Sequence, residues 1–206
     1  MKKQKARIAV LVSGGGTNLQ ALIDAQRQGK LSHGEIVLVV SNKEGAYALT
    51  RASEAGIPAL TVTRKQAGGQ EAFEAEILRA LKEYRTDMVV LAGFLSILSA
   101  DFVVEYPNRI LNVHPSLIPA FCGEGYYGLR VHRAALERGV KVTGATVHFV
   151  NEVTDGGEIL MQRAVRVRRG DTPESLQARV MREAEWKILP AATERVAKSI
   201  LKGKGN

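Results

Sequence analysis

Short, almost wholly apolar runs separated by stretches of helical period constrain this chain more than any other feature. The early runs lie at residues 7–12, 36–41, 59–62 and 88–92. A strand that is apolar on both faces must be covered on both faces, as in a parallel sheet. Between these runs, residues 18–28, 46–55 and 70–84 repeat their apolar positions with the helical period. Strand–helix alternation places crossover helices between parallel strands. Later runs, at 110–113, 144–150 and 159–167, alternate apolar and polar residues more clearly, which predicts antiparallel pairing in the C-terminal half. The expected fold is an α/β, Rossmann-like, mostly parallel sheet of about seven strands flanked by helices. Helices are also predicted at 131–138 and from Thr172-Pro173 to about Ser199. Proline suits a first helical turn, so Pro173 starts the last helix and Pro190 is expected to kink or divide it.

The chain has 206 residues, enough for one large domain or two intimate subdomains. We read residues 1–206 as one domain with halves at about 1–105 and 106–206. There are no repeats, and only Gly203–Asn206 looks frayed. No run of apolar residues is long enough for a membrane span, so no membrane partner is expected. The basic N-terminus leads into a short strand and lacks the longer apolar stretch of a signal peptide. A single cysteine, Cys122, excludes an internal disulfide framework and suits a reducing, cytoplasmic compartment.

The formal charge is +8, which raises the question of nucleic acid. Much of the excess sits at the ends, in Lys2, Lys3, Lys5, Arg7, Lys198, Lys202 and Lys204, with a further group at Arg163, Arg166, Arg168 and Arg169. No aromatic residues interleave with these clusters, as base stacking requires. The charge reads as solubility plus steering of small anions, with no nucleic-acid partner.

Two segments carry candidate chemistry. In Arg109-Ile-Leu-Asn-Val-His-Pro-Ser-Leu-Ile118, Asn112 and His114 stand two residues apart at a strand end. Alternate strand residues share a face, so an amide and an imidazole project together before Pro115 turns the chain. An amide can donate to a developing oxyanion, and an imidazole can move a proton. A hydrogen-bonded structural histidine fits the same pattern. Asp155 lies in the Gly-rich turn Asn151-Glu-Val-Thr-Asp-Gly-Gly157. Near His114 it would favour the charged ring and raise its pKa, whereas Asp before Gly-Gly is also ordinary turn chemistry. His132 and His148 read as structural, with a cleft-facing place also open to His132, which sits near the long loop at 120–128.

The first strand ends in Ser13-Gly14-Gly15-Gly16-Thr17-Asn18, directly before a helix. Glycines let backbone amides approach an anion, and a helix N-terminus adds N–H donors. Thr17 and Asn18 can cap the helix or donate to phosphate. The dinucleotide fingerprint is incomplete: Leu19 replaces its third glycine, and Ser41-Asn42 supplies no acid for a ribose diol. No Gly-Lys-Ser/Thr follows, which excludes a Walker loop. A single phosphate or a tight structural turn remain.

Taken in order, Ser13-Gly-Gly-Gly-Thr-Asn-Leu-Gln20, Leu91-Ala-Gly-Phe94, Ile110-Leu-Asn-Val-His-Pro-Ser-Leu-Ile-Pro119, Lys141-Val-Thr-Gly-Ala-Thr-Val-His-Phe-Val150 and Asp155-Gly-Gly157 resemble the folate-dependent glycinamide ribonucleotide formyltransferases of purine synthesis. The resemblance covers about residues 7–195. It implies transfer of a formyl group from 10-formyltetrahydrofolate to the amine of glycinamide ribonucleotide. Asn112, His114 and Asp155 become the catalytic residues, and charged His114 donates with Asn112 to the oxyanion. Gly16, Thr17 and Asn18 hold the phosphate. Glu185 takes the ribose, with Glu183 its close competitor. The resemblance puts the folate against Phe94, Leu95, Ser96, Ile97 and Leu98, with Asn112 beside it and Gln70 near its tail. Many relatives carry Met-Arg where this chain has Leu95-Ser96, and some carry a base at Gln70. The loop Ala120-Phe-Cys-Gly-Glu-Gly-Tyr-Tyr-Gly128 is longer than in many relatives and is expected to form either a mobile lid or a surface insertion. Cys122 has no base partner in sequence and reads as a bystander. The partners implied are small-molecule substrates and no metal, with the chain a monomer or homodimer. Methionyl-tRNA formyltransferases and formyltetrahydrofolate hydrolases share the core but carry additional domains.

Overall fold

Every predicted strand joins one sheet. The computed structural model describes residues 4–203. In chain order its elements are β1 (Ala6–Val12), α1 (Thr17–Arg27), β2 (Gly34–Ser41), α2 (Tyr47–Glu54), β3 (Ala59–Thr61), α3 (Arg64–Ala67), α4 (Gln70–Glu83), β4 (Met88–Leu91), α5 (Ala100–Val104), β5 (Ile110–His114), α6 (Leu129–Arg138), β6 (Val142–Phe149), β7 (Ile159–Arg166), α7 (Pro173–Val180), a π-helical turn Met181–Glu185 and α8 (Trp186–Gly203). The frayed end expected at 203–206 lies outside the described residues except for Gly203, which closes α8. Lys2, Lys3 and Lys204 also lie outside them.

The sheet order is β3-β2-β1-β4-β5-β6-β7. β1 to β5 run parallel, and β6 and β7 pair antiparallel, as the two kinds of apolar pattern predict. Successive residues of β1 serve opposite faces. Ile8, Val10 and Val12 join a core with α1 and α8, while Ala9 and Leu11 face Phe73 and Ile77 of α4. All five β1 residues are fully buried, which explains why no polar residue interrupts that run.

After β3 the chain returns to the opposite side of β1 and lays down β4. Ligand crevices in open α/β sheets form at such a reversal, beyond the C-terminal strand ends. Here the loops after β1 and β4 and the end of β5 meet at that edge.

α3 and α5 escaped the helical-period reading because four or five residues give no measurable period. Each instead has a local cap, Thr63 accepting from Gln66 N–H and Ser99 from Phe102 N–H, both at 3.2 Å. The C-terminal helix departs from expectation in another way. α8 runs through Pro190, and the interruption falls earlier, in the π-helical turn. Pro190 crowds the carbonyl of residue 186, and the wider turn directly before that residue accommodates such a distortion. In the last turn of α7, buried Arg179 forks onto Asp171, which precedes the helix, and donates to the Arg166 carbonyl at 2.9 Å, which ties this helix to the end of β7.

Candidate active site

A cleft of about 870 Å³ opens at the reversal point. Its walls come from the loop after β1, the segment after β4, the ends of β5 and β6, the loop before α6 and the π-helical turn. Asn112, His114 and Asp155 all line it.

The strand register explains their meeting. Asn112 and His114 share a face of β5, and antiparallel pairing sets Asn112 directly opposite His148 of β6. The turn after β6 then brings Asp155 back over both rings, with Asp155 itself in the left-handed region at φ 56°. Its Oδ2 lies 3.4 Å from His114 Nδ1, and its Oδ1 lies 3.5 Å from both His148 Nε2 and Asn112 Nδ2. The cluster therefore has four members, and His148 is corrected from a structural to a cleft residue. Sequence alone held one signal for it, its two-residue spacing from Thr146, but the pairing register decides which residue it faces.

Two backbone carbonyls fix the tautomers. His114 Nε2 lies 2.8 Å from the Phe121 carbonyl, and a carbonyl only accepts, so this nitrogen carries a proton. Nδ1 is then the basic nitrogen of the neutral ring and faces Asp155. His148 Nδ1 lies 2.8 Å from the Phe149 carbonyl, which leaves Nε2 to accept from Asn112 Nδ2 at 3.2 Å. That bond orients the Asn112 amide. The second N–H of Asn112 makes only the 3.5 Å contact to Asp155, at the outer limit for a hydrogen bond, and can be redirected to a ligand oxygen.

The charge state differs from the sequence expectation. Burial pushes the His114 pKa down, and this outweighs the opposing pull of the Asp155 carboxylate and the Phe121 carbonyl. The resting ring is neutral, not charged as Asp155 alone predicts. For Asp155, burial acts upward, but the adjacent His148 ring, the Gly123 N–H and the nearby His114 hold its pKa below the usual range. His132 lies behind the site, outside the cleft lining. It is fully buried, and neither ring nitrogen has a partner. Burial, then the neighbouring His114 imidazole, pushes its pKa down to about 4.

The longer loop is built into this cluster. Gly123 donates to Asp155 Oδ2 at 2.9 Å, and residues 123–128 line the cleft. Phe121 reaches its carbonyl toward His114 from φ 51°, its ring tilted against Tyr126. The Cys122 thiol donates to the Pro119 carbonyl at 3.3 Å, and burial, then Asp155, raises its pKa, the wrong direction for a nucleophile.

Gly14 to Asn18 form the opposite wall. No side chain caps α1, and its cap residue is Gly16, which corrects the capping expectation for Thr17 and Asn18. Asn18 instead donates to Glu185 Oε2 at 2.7 Å, and its own Oδ1 is buried without a partner. Glu185 is buried in the cleft, whereas Glu183 pairs with Arg182 outside it. Burial pushes the Glu185 pKa up to about 7, against the pull of Asn18.

A Cβ at Gly14 or Gly15 would meet open space, but one at Gly16 would lie 2.6 Å from Ala48 Cβ. Room for a ligand is therefore at Gly14 and Gly15, and Gly16 is needed for contact with α2 at φ 68°. Gly16→Val is accordingly expected to lower Tm by roughly 5–10 °C through left-handed strain and displacement of α2. Gly15→Ala should keep Tm and weaken nucleotide binding. Thermal unfolding beside calorimetric titration checks this, and an unchanged Tm for Gly16→Val contradicts it.

Phe94, Leu95, Ser96, Ile97 and Leu98 all border the cleft. Phe94 and Leu98 are buried, with Phe94 stacked on Phe73, while Leu95 is 56% and Ile97 65% exposed at the rim. The segment is tied from below: Leu95 N–H donates to Ser13 Oγ at 2.8 Å, and Asn42 Nδ2 donates to Ser96 Oγ at 2.8 Å. Gln70 lies outside the lining and donates to the Ile97 carbonyl at 3.1 Å and to Glu74. Gln70 thus supports the segment, which corrects its placement as a direct folate contact. Among the described residues no cluster of metal-binding side chains occurs.

A doubly wound sheet with a glycine loop, a buried Asn–His–His–Asp cluster and an apolar-rimmed cleft at its reversal point defines an α/β fold built to bind a small molecule. The family model described as "Formyl transferase" matches residues 6–193, and the chain belongs to this family. It is 44% identical over 183 residues to the phosphoribosylglycinamide formyltransferase of Escherichia coli K12, covering 89% of this chain and 83% of that one. It is 47% identical over 197 residues to the chicken trifunctional purine biosynthetic protein adenosine-3, covering 96% of this chain. The chain spans about a fifth of that relative's length, 19%. The crystal structure of glycinamide ribonucleotide transformylase 1 from Symbiobacterium toebii superposes with a TM-score of 0.88 at 44% identity, over 95% of this chain and 89% of that one.

Proposed function

We propose that this chain transfers a formyl group from 10-formyltetrahydrofolate to the primary amine of glycinamide ribonucleotide, a step of purine biosynthesis. The observation that carries the reading is the Asn112–His114–His148–Asp155 cluster, set between a glycine loop suited to phosphate and an exposed apolar rim suited to a flat ring. The related enzymes from Escherichia coli and Symbiobacterium toebii bear names of the same reaction.

The amine nitrogen attacks the formyl carbon and the carbonyl oxygen becomes an oxyanion. The redirectable N–H of Asn112 donates to that oxyanion. Neutral His114 accepts the proton lost by the attacking nitrogen at Nδ1, and the imidazolium so formed faces Asp155. Because burial disfavours the charged ring, His114 readily returns this proton to the folate nitrogen as the carbon–nitrogen bond to it breaks. The loop amides at 14–18 hold the phosphate, and Glu185 accepts from the ribose hydroxyls. The segment at 94–98 takes the pterin, its backbone already positioned by Ser13 and Gln70 and its Ser96 side chain by Asn42. A continuous sheet across the cleft supports a single domain at 1–206. One cysteine fits a cytoplasmic setting.

Consumption of the formyl donor is the test, measured with and without the nucleotide amine. Transfer predicts no consumption until the amine is added and equimolar formylated product afterwards. Consumption without the amine indicates a hydrolase, and none in either case removes the enzymatic reading.

A further inference from the structure

The loop at 13–16 offers its amides to the cleft only because something holds its carbonyls away from it. In a planar trans peptide the C=O and the following N–H point in opposite directions. The Gly14 carbonyl accepts from Ala48 N–H at 3.1 Å, in the first turn of α2. The Gly15 carbonyl accepts from Arg51 Nε at 2.8 Å, one turn further along α2. Both carbonyls therefore face α2, and the N–H groups of Gly15 and Gly16 face away from it. No backbone acceptor meets either N–H among the described residues.

Arg51 is itself held on three sides. Its Nη1 donates to Gln20 Oε1 on α1 at 2.9 Å, and its guanidinium lies over the Tyr47 ring, 4.9 Å from the centroid. It is not among the cleft-lining residues, and it borders instead a groove on the outer side of the loop, with Thr17 and Trp186. It therefore cannot act by touching a cleft ligand. It acts through the Gly15 peptide and by placing a fixed positive charge behind the loop.

We propose that Arg51 is a positioning residue for anion binding: by clamping the Gly15 carbonyl from behind, it aims the Gly16 N–H into the cleft. The proposal rests on the phosphate reading of the loop. Lysine keeps the charge but is a point donor without the planar fork that reaches Gly15 and Gln20 together. Charge and aim can thus be separated by substitution.

The experiment uses the full-length chain with Arg51→Met and Arg51→Lys. KM for glycinamide ribonucleotide is expected to rise about tenfold in Arg51→Met, with kcat and the KM of the formyl donor little changed, the pattern of lost uniform binding. Arg51→Lys should recover only part of this. Calorimetric preference for the phosphorylated over the dephosphorylated nucleotide should fall in parallel. If the native chain shows no such preference, the phosphate reading of the loop fails. If the native chain shows it and Arg51→Met keeps it, the loop reading stands and the Arg51 proposal is wrong. A rise in both KM values with a drop in Tm assigns Arg51 to general packing and overturns the proposal as well.

Discussion

His114→Ala is expected to lower kcat by roughly 10²–10⁴-fold, the usual contribution of a positioned proton-transfer group, with nucleotide affinity nearly unchanged. The basic nitrogen, Nδ1, faces the cleft cluster. Asp155→Asn tests the partner. In the folded chain burial depresses the His114 pKa, and the Asp155 charge opposes that depression. Removing the charge while keeping the shape should lower the pKa further. Because His114 acts in its neutral form, the acid limb of the kcat/KM profile should move to lower pH. The maximal rate should still fall, because the imidazolium formed during transfer loses its counter-charge. An NMR titration of His114 reports the shift directly, and an unmoved or raised value in Asp155→Asn rules out the charge pairing.

Glu185→Gln is expected to make the protein more stable and less able to bind nucleotide. The folded-state pKa of Glu185 is pushed up to about 7, from an ordinary value of 4.5. A raised carboxyl pKa means the folded chain binds this proton more tightly than the unfolded chain. Its cost is absent below the unfolded value, grows as pH rises between the two values and is complete above the folded one. The shift corresponds to on the order of 3 kcal/mol, which for a chain of this size is a Tm gain of roughly 5–10 °C. Glutamine copies the protonated form, so the gain should appear near pH ~8 and vanish near pH ~4. Thermal unfolding of both chains across this range is the measurement. The same Tm difference at both ends contradicts the buried-charge account. Loss of nucleotide affinity alongside the gain places the cost of burying Glu185 on the side of function.

Asn112 and His114 were legible because their two-residue spacing at an apolar strand end fixes a common face whatever surrounds it. The fold class was legible for a related reason: β1 is apolar from Ile8 to Val12 because both its faces are buried there. Glu185 was harder, since a helical glutamate looks the same in solvent as in a cleft. The π-helical turn and the burial that single it out from Glu183 arise only after packing. Gln70 illustrates the opposite limit. The resemblance implies a place for it near the folate tail, but only the structure shows that its amide is spent on the Ile97 carbonyl.

The sequence by itself determined the order of strands and helices, the change from parallel to antiparallel pairing, and the residue types able to move a proton. Those features are local or periodic, set by side-chain alternation and backbone preference. Tertiary structure alone decided that Asn112 faces His148, because register depends on how two distant segments align. It also decided that His114 rests neutral. A neighbouring carboxylate can be guessed from sequence, but desolvation depends on every atom that excludes water from the ring, and here it outweighs the single charge of Asp155. The direction of the loop amides follows the same rule: glycines permit many orientations, and Ala48 and Arg51, more than thirty residues away on α2, select one.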